Sequence, residues 1–182
     1  TTVPGSTSSI SETTKSFKNW FYVKGNYKNY FIQKGLYRLG IYAEALYSSQ
    51  PFFQNYTASI ISSHAFQPIP DARTGFYNDF RANKYLGAGL MNVFTLKDKV
   101  DLRVEAFMFQ PIRRILRDGD GNAYEGELFE SRFGIASVSL IYHSLVGPIR
   151  ATVNYFDSQS QLEPLSFQLS LGFVIFNDHS LK

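Results

Sequence analysis

The chain has 182 residues, a net charge of +3 and no cysteine, and 16% of its residues are aromatic against 18% charged. That length suits one domain with a sizeable core, or about eight membrane strands with their loops. The scattered basicity gives no stripe for nucleic acid, the missing thiols remove disulfides and thiolate metal sites, and the apolar runs break well before the ~20 residues of a membrane helix, so any crossing of a bilayer must use strands.

Residues Thr1 to Ser16 are rich in Ser and Thr, carry Pro4 and Gly5, and lack apolar periodicity. They read as an exposed linker or loop ahead of a strand-bearing unit over residues 17–182. The opening Thr1-Thr2-Val3-Pro4-Gly5-Ser6 has neither an initiator Met nor a signal segment, which is expected of a mature product or a fragment. From Phe17 to Gln33 aromatics alternate irregularly with Lys and Asn, predicting a strand interrupted at Gly25 or two short strands. The next segment is cleaner: Tyr37, Leu39, Ile41, Ala43, Ala45 and Tyr47 fall on one face, with Arg38, Gly40, Tyr42 and Glu44 on the other. Between Ser48 and Asp79, Pro51, Pro68 and Pro70 predict long loops around a strand near Thr57 to Phe66. Tyr85 to Leu96 reads as a strand in which Gly87 and Gly89 blur the faces, and Lys97-Asp98-Lys99 as a tight turn.

Four strands in the second half repeat the alternation. Leu102, Val104, Ala106 and Met108 oppose Asp101, Arg103 and Glu105; Ala136, Val138, Leu140 and Tyr142 oppose Ser137, Ser139 and His143. Ile149, Ala151, Val153 and Tyr155 oppose Arg150, Thr152 and Asn154, and Phe167, Leu169, Leu171, Phe173 and Ile175 oppose Gln168, Ser170 and Gly172. Each is close to the roughly 9 to 11 residues of a tilted membrane strand. Alternation alone does not separate a soluble sandwich from a membrane barrel. Aromatics near strand ends, at Tyr37, Tyr47, Tyr142 and Tyr155, favour the barrel, because they match interfacial girdles. The predicted fold is therefore all-β, an antiparallel transmembrane β-barrel. In it Arg103, Glu105 and Arg150, with Arg38 and Glu44, point into the lumen, where pairing across strands is favoured over lining a channel.

Ser144-Leu145-Val146-Gly147-Pro148-Ile149-Arg150, following the strand Ala136 to Tyr142, resembles a late strand-turn-strand of the bacterial surface-antigen barrels, the outer-membrane assembly and transport superfamily. Leu145 replaces the usual Pro of that turn. More narrowly, Phe80-Arg81-Ala82-Asn83-Lys84-Tyr85 and Glu105-Ala106-Phe107-Met108-Phe109-Gln110-Pro111-Ile112 resemble the C-terminal barrel of Gram-negative patatin-like phospholipases, over roughly Tyr77 to Lys182. The resemblance implies the C-terminal part of a larger barrel in the outer membrane, anchoring or translocating an upstream patatin-like domain. It also implies a lumen-facing lock residue at Arg81 and an assembly-signal strand with Gln168, Gly172, Phe173 and Phe176. Its partners would be outer-membrane lipid, the barrel-assembly machinery and the upstream part of the same protein, with homo-oligomerisation open. A self-contained eight-stranded barrel with a structural or adhesive role is the alternative, and a soluble β-sandwich binding module a third.

Patatin-like hydrolysis needs a serine in a G-x-S-x-G elbow, and the chain has none, so it is not expected to be an enzyme by itself. Asp118-Gly119 and Asp120-Gly121 read as a hairpin turn. Asp118, Asp120 and Asn122 imitate the start of a calcium loop, but Ala123 and Phe129 stand where its Gly and bidentate Glu belong. His64, His143 and His179 lack ligand spacing, so no metal or other cofactor is expected.

Overall fold

Strict alternation of apolar and polar residues leaves a chain one way to bury a single face, which is to pair strands edge to edge. The computed structural model describes residues 19–53, 55–145, 147–158 and 164–172. Its main body is one seven-stranded sheet, every neighbouring pair antiparallel. In spatial order these strands are β1 (Tyr22–Lys34), β2 (Tyr37–Ser48), β5 (Lys84–Lys97), β6 (Val100–Pro111), β9 (Phe133–Ser144), β10 (Gly147–Phe156) and β11 (Leu165–Leu171). Two small pairs lie outside it: β3 (His64–Ala65) with β4 (Arg81–Ala82), and β7 (Arg113–Arg117) with β8 (Ala123–Leu128).

The connections sort by length. Gly35-Leu36 and Asp98-Lys99 are tight turns at one end of the sheet, and the short link from β9 to β10 lies at the same end. Gly35 takes φ +55°, which a side chain rarely adopts. The longer connections, from β2 to β5, from β6 to β9 and from β10 to β11, are at the other end.

Residues 49–83 cover one face of the sheet. Phe66 packs against Tyr42, Tyr85 and Phe109, while Phe80 packs against Phe109, Phe133 and Phe156. With Leu46, Ile69, Ala72 and Ile135 these rings form the hydrophobic core. Gly87 and Gly89 make room for it: a Cβ would stand 2.2 Å from Phe66 at the first and 2.2 Å from Phe107 at the second. Both glycines therefore belong to the covered face.

Two predicted elements differ, and a third is described only in part. The segment Phe17 to Gln33 gives one strand, β1, that runs through Gly25, which pairs with Ala45, and shifts register only between Tyr30 and Ile32. Residues near Thr57 to Phe66 form a helix, α1 (Tyr56–Ser62), and only His64–Ala65 is extended. Asn55 caps the helix by accepting a hydrogen bond from the Ala58 N–H at 2.6 Å, and the Arg81 guanidinium donates to the carbonyls of Ile60, Ile61 and Ser63 at its other end. The last strand is described to Leu171; Phe173 to Ile175, like the linker Thr1 to Ser16, lie outside the described residues.

Candidate functional site

The two faces of the sheet have inverted polarity, and that inversion is the feature to explain. On β2 the apolar set Ile41, Ala43, Ala45 and Tyr47 is exposed, while Tyr42, Glu44, Leu46 and Ser48 are buried. β6 repeats this, with Val104, Ala106 and Met108 exposed and Asp101, Glu105, Phe107 and Phe109 buried. On β9 Val138 and Leu140 are exposed beside buried Ser137 and Ser139, and on β10 Val153 is exposed between buried Thr152 and Asn154. The outer face is a nearly continuous apolar surface. Asn29 and Asn92 are polar residues on it: the Asn29 amide donates to the Tyr27 hydroxyl at 2.9 Å, and Asn92 accepts a hydrogen bond from the Tyr37 hydroxyl at 2.7 Å.

Aromatics bound this surface. Near the turn end Tyr37 packs tilted against Phe94 with ring centroids 5.0 Å apart, and Tyr142 stands on β9. Near the long-connection end Phe21 lies 6.0 Å from Tyr47, whose ring also carries the Lys84 ammonium at 5.3 Å. From Tyr37 to Tyr47 the chain makes ten residue steps. At ~3.3 Å per residue those steps run ~33 Å along the strand.

On the covered face, charge is held by specific partners near both ends. The buried Glu44 carboxylate accepts hydrogen bonds from the hydroxyls of Tyr42 and, at 2.5 Å, Tyr85, and it pairs with the Lys24 ammonium at 2.8 Å. Two phenols and a cation replace the water this carboxylate has lost. Near the turn end Asp101 accepts from Thr95 at 2.8 Å, Arg38 at 3.3 Å and His143 at 3.2 Å, tying together β2, β5, β6 and β9. Arg38 and Glu44 thus pair across strands, with partners that sequence alone did not identify.

The other predicted lumen-facing residues behave differently. Arg103, Glu105 and Arg150 all project from the covered face, yet among the described residues none of them forms an ion pair. Among the described residues the expected pairing is seen at Arg38 and Glu44 and not at these three. Arg103 Nε has no hydrogen-bond partner, and Arg150 spends its Nε and Nη2 on the hydroxyls of Ser139 and Thr152 at 2.9 to 3.2 Å. Arg81 lies in the covering segment rather than on a main-sheet strand; besides closing α1 it stands 4.5 Å from the Phe76 ring. Gln168 is half-buried on the covered side of β11. A Cβ on Gly172 would meet the Pro148 ring at 3.1 Å, so this glycine packs against the β9–β10 turn. Phe173 and Phe176 lie outside the described residues.

The Asp-Gly segment forms the turn of the β7–β8 hairpin, where Asp118 accepts from the Asn122 N–H at 2.7 Å and Gly121 takes φ +87°. That backbone hydrogen bond holds the Asp118 carboxyl below its usual range. Among the described residues no group of three or more His, Asp or Glu side chains is placed to hold a metal. His64 lies 4.7 Å from the Tyr22 ring and His143 sits on Asp101, whereas His179 is outside the described residues. No described helix is long and apolar enough to cross a membrane, which leaves strand crossing untouched. Compared with known proteins, the chain matches no family model, no curated protein and no solved structure.

Proposed function

We propose that this chain is a segment of a transmembrane β-barrel in the outer membrane of a Gram-negative bacterium, serving to anchor an upstream patatin-like phospholipase domain. The observation that carries the membrane reading is the exposed apolar face between aromatic rims. In water, leaving Leu86, Leu90, Val138, Leu140, Val153 and Leu169 between 46% and 63% exposed on one contiguous surface is costly, and such a surface marks contact with lipid or protein. A soluble sandwich would cover that face. Here the covering segment lies on the other face, over the side chains of Glu44, Tyr85 and Phe109.

Anchoring is favoured over translocation by how the covered face is filled. The aromatic packing of Phe66, Phe80, Phe109, Phe133 and Phe156 occupies the half nearest the long connections, so a solute moving along the described wall would have to displace it. The patatin parentage rests on the resemblance of the Ser144 to Arg150 turn and the Phe80 to Tyr85 and Glu105 to Ile112 segments. Assembly of such a segment would engage the barrel-assembly machinery through its last strand.

Fractionation tests the membrane reading: the protein should stay with outer membranes through an alkaline wash and require detergent for release. Recovery in the wash would overturn it. The hydrolase reading is tested separately by the complete reading frame, which should carry a G-x-S-x-G elbow upstream.

A further inference from the structure

Beneath the edge strand β11 lies a cavity of about 200 Å³, walled by Asp71, Thr74, Tyr77, Ser166 and Gln168. Asp71 is 95% buried, with a relative exposure of 5%, and Asn154 is completely buried beside it. The Asn154 amide donates to Asp71 Oδ2 and to Ser166 Oγ at 3.3 Å, but Asp71 Oδ1 and Asn154 Oδ1 accept no hydrogen bond at all. Two adjacent buried acceptors without donors are unusual in a folded protein, since each unmet group costs more than an average hydrogen bond returns. Turning the Asn154 amide over does not help, because its oxygen would then face the carboxylate. Burial pushes the Asp71 carboxyl upward, while hydrogen bonding by Asn154 and the charge of Arg150 oppose that shift. Arg150 does not fill the gap, because its Nε and Nη2 are committed to Ser139 and Thr152.

What both acceptors lack is a donor. Asp71, Thr74, Ser166 and Gln168, all on the cavity wall, carry carboxylate, hydroxyl and amide oxygens around one small space, with Asn154 behind Asp71, and such a set of acceptors suits the three divergent N–H groups of an ammonium better than a flat guanidinium fork. We propose that this cavity is a binding site for a primary ammonium group, either a free primary amine or the tip of a lysine side chain delivered by a strand lying against β11. The inference stands on buried geometry and does not depend on the membrane reading.

The test uses the purified protein, with asparagine side chains labelled by ¹⁵N. Methylammonium chloride is titrated against tetramethylammonium chloride, which has the same charge and no N–H. For a free amine, the Asn154 amide resonance shifts saturably with methylammonium only, and the response disappears in Asp71→Asn and in Gln168→Phe, which fills the cavity without altering the carboxylate. For a lysine tip, wild type is silent to both salts, and carbodiimide treatment yields a mass-spectrometric amide link between Asp71 and a lysine. Equal responses to the two salts, or silence without a cross-link, would overturn the proposal and leave the cavity to water.

Discussion

Arginine placed at successive outward positions of β9 should measure depth in a bilayer. Tyr142 lies at the turn-end rim, Leu140 two residues in and Val138 four residues in, all three on the exposed face. At ~3.3 Å per residue and a tilt of about 40°, Leu140 lies ~5 Å and Val138 ~10 Å below the rim, close to the middle of a band ~25 Å tall. The expected cost of Arg is therefore about 2–4 kcal/mol at Val138, less at Leu140, and about 0–1 kcal/mol at Tyr142. For a soluble protein the same changes, at residues 45% to 49% exposed, would each fall within about 0.5 kcal/mol of zero. Denaturant unfolding of the assembled protein from lipid vesicles, followed by intrinsic fluorescence, gives the three values. A flat series, or a cost largest at Tyr142, would refute the assigned face.

Gly87→Ala should destabilise by about 1–3 kcal/mol through overpacking, because its methyl would lie 2.2 Å from Phe66, and Phe66→Leu in the same chain should recover part of the loss. His64 is held below its usual pKa, first by burial and then by the charges of Lys24 and Arg81. Its stabilising contribution is full above pH ~6.5 and is lost as pH falls through the depressed folded value, because the unfolded chain binds the proton more readily. His64→Gln should flatten that acid limb in unfolding curves taken from pH 7.5 downward, and an unchanged limb would remove His64 as its source. The purified chain should show no turnover of short-chain or phospholipid esters, and activity abolished by a point mutation within these 182 residues would contradict that expectation.

Strands β2, β6, β9 and β10 were legible because each buries one face and exposes the other, so period two is written directly into residue type. β1 was not. It is an edge strand in which only Tyr30 and Ile32 fall short of full exposure, so no burial rhythm constrains its sequence. The helix α1 was masked by Thr57, Ile60 and Ile61, β-branched residues that favour strands, although Asn55 supplied a readable N-cap signal. Seven residues do not hold a helix alone, and burial of Ile60 and the three carbonyls bound by Arg81 are long-range terms absent from local sequence. The same limit hid the partners of Glu44: Lys24 and Tyr85 come from neighbouring strands whose register no single sequence displays.

Direction of travel along the seven strands carries a constraint on how the sheet can close. Alternation down, up and down again makes β1 and β11, the two edges, point the same way, from the long-connection end to the turn end. Joined to each other they would form a parallel seam in an otherwise antiparallel wall. A second copy inserted with the same orientation presents the same pair of arrows and meets the same obstacle. A fully antiparallel ring therefore requires an odd number of strands beyond these seven, wherever they come from, and a count of strands in the assembled barrel should come out even.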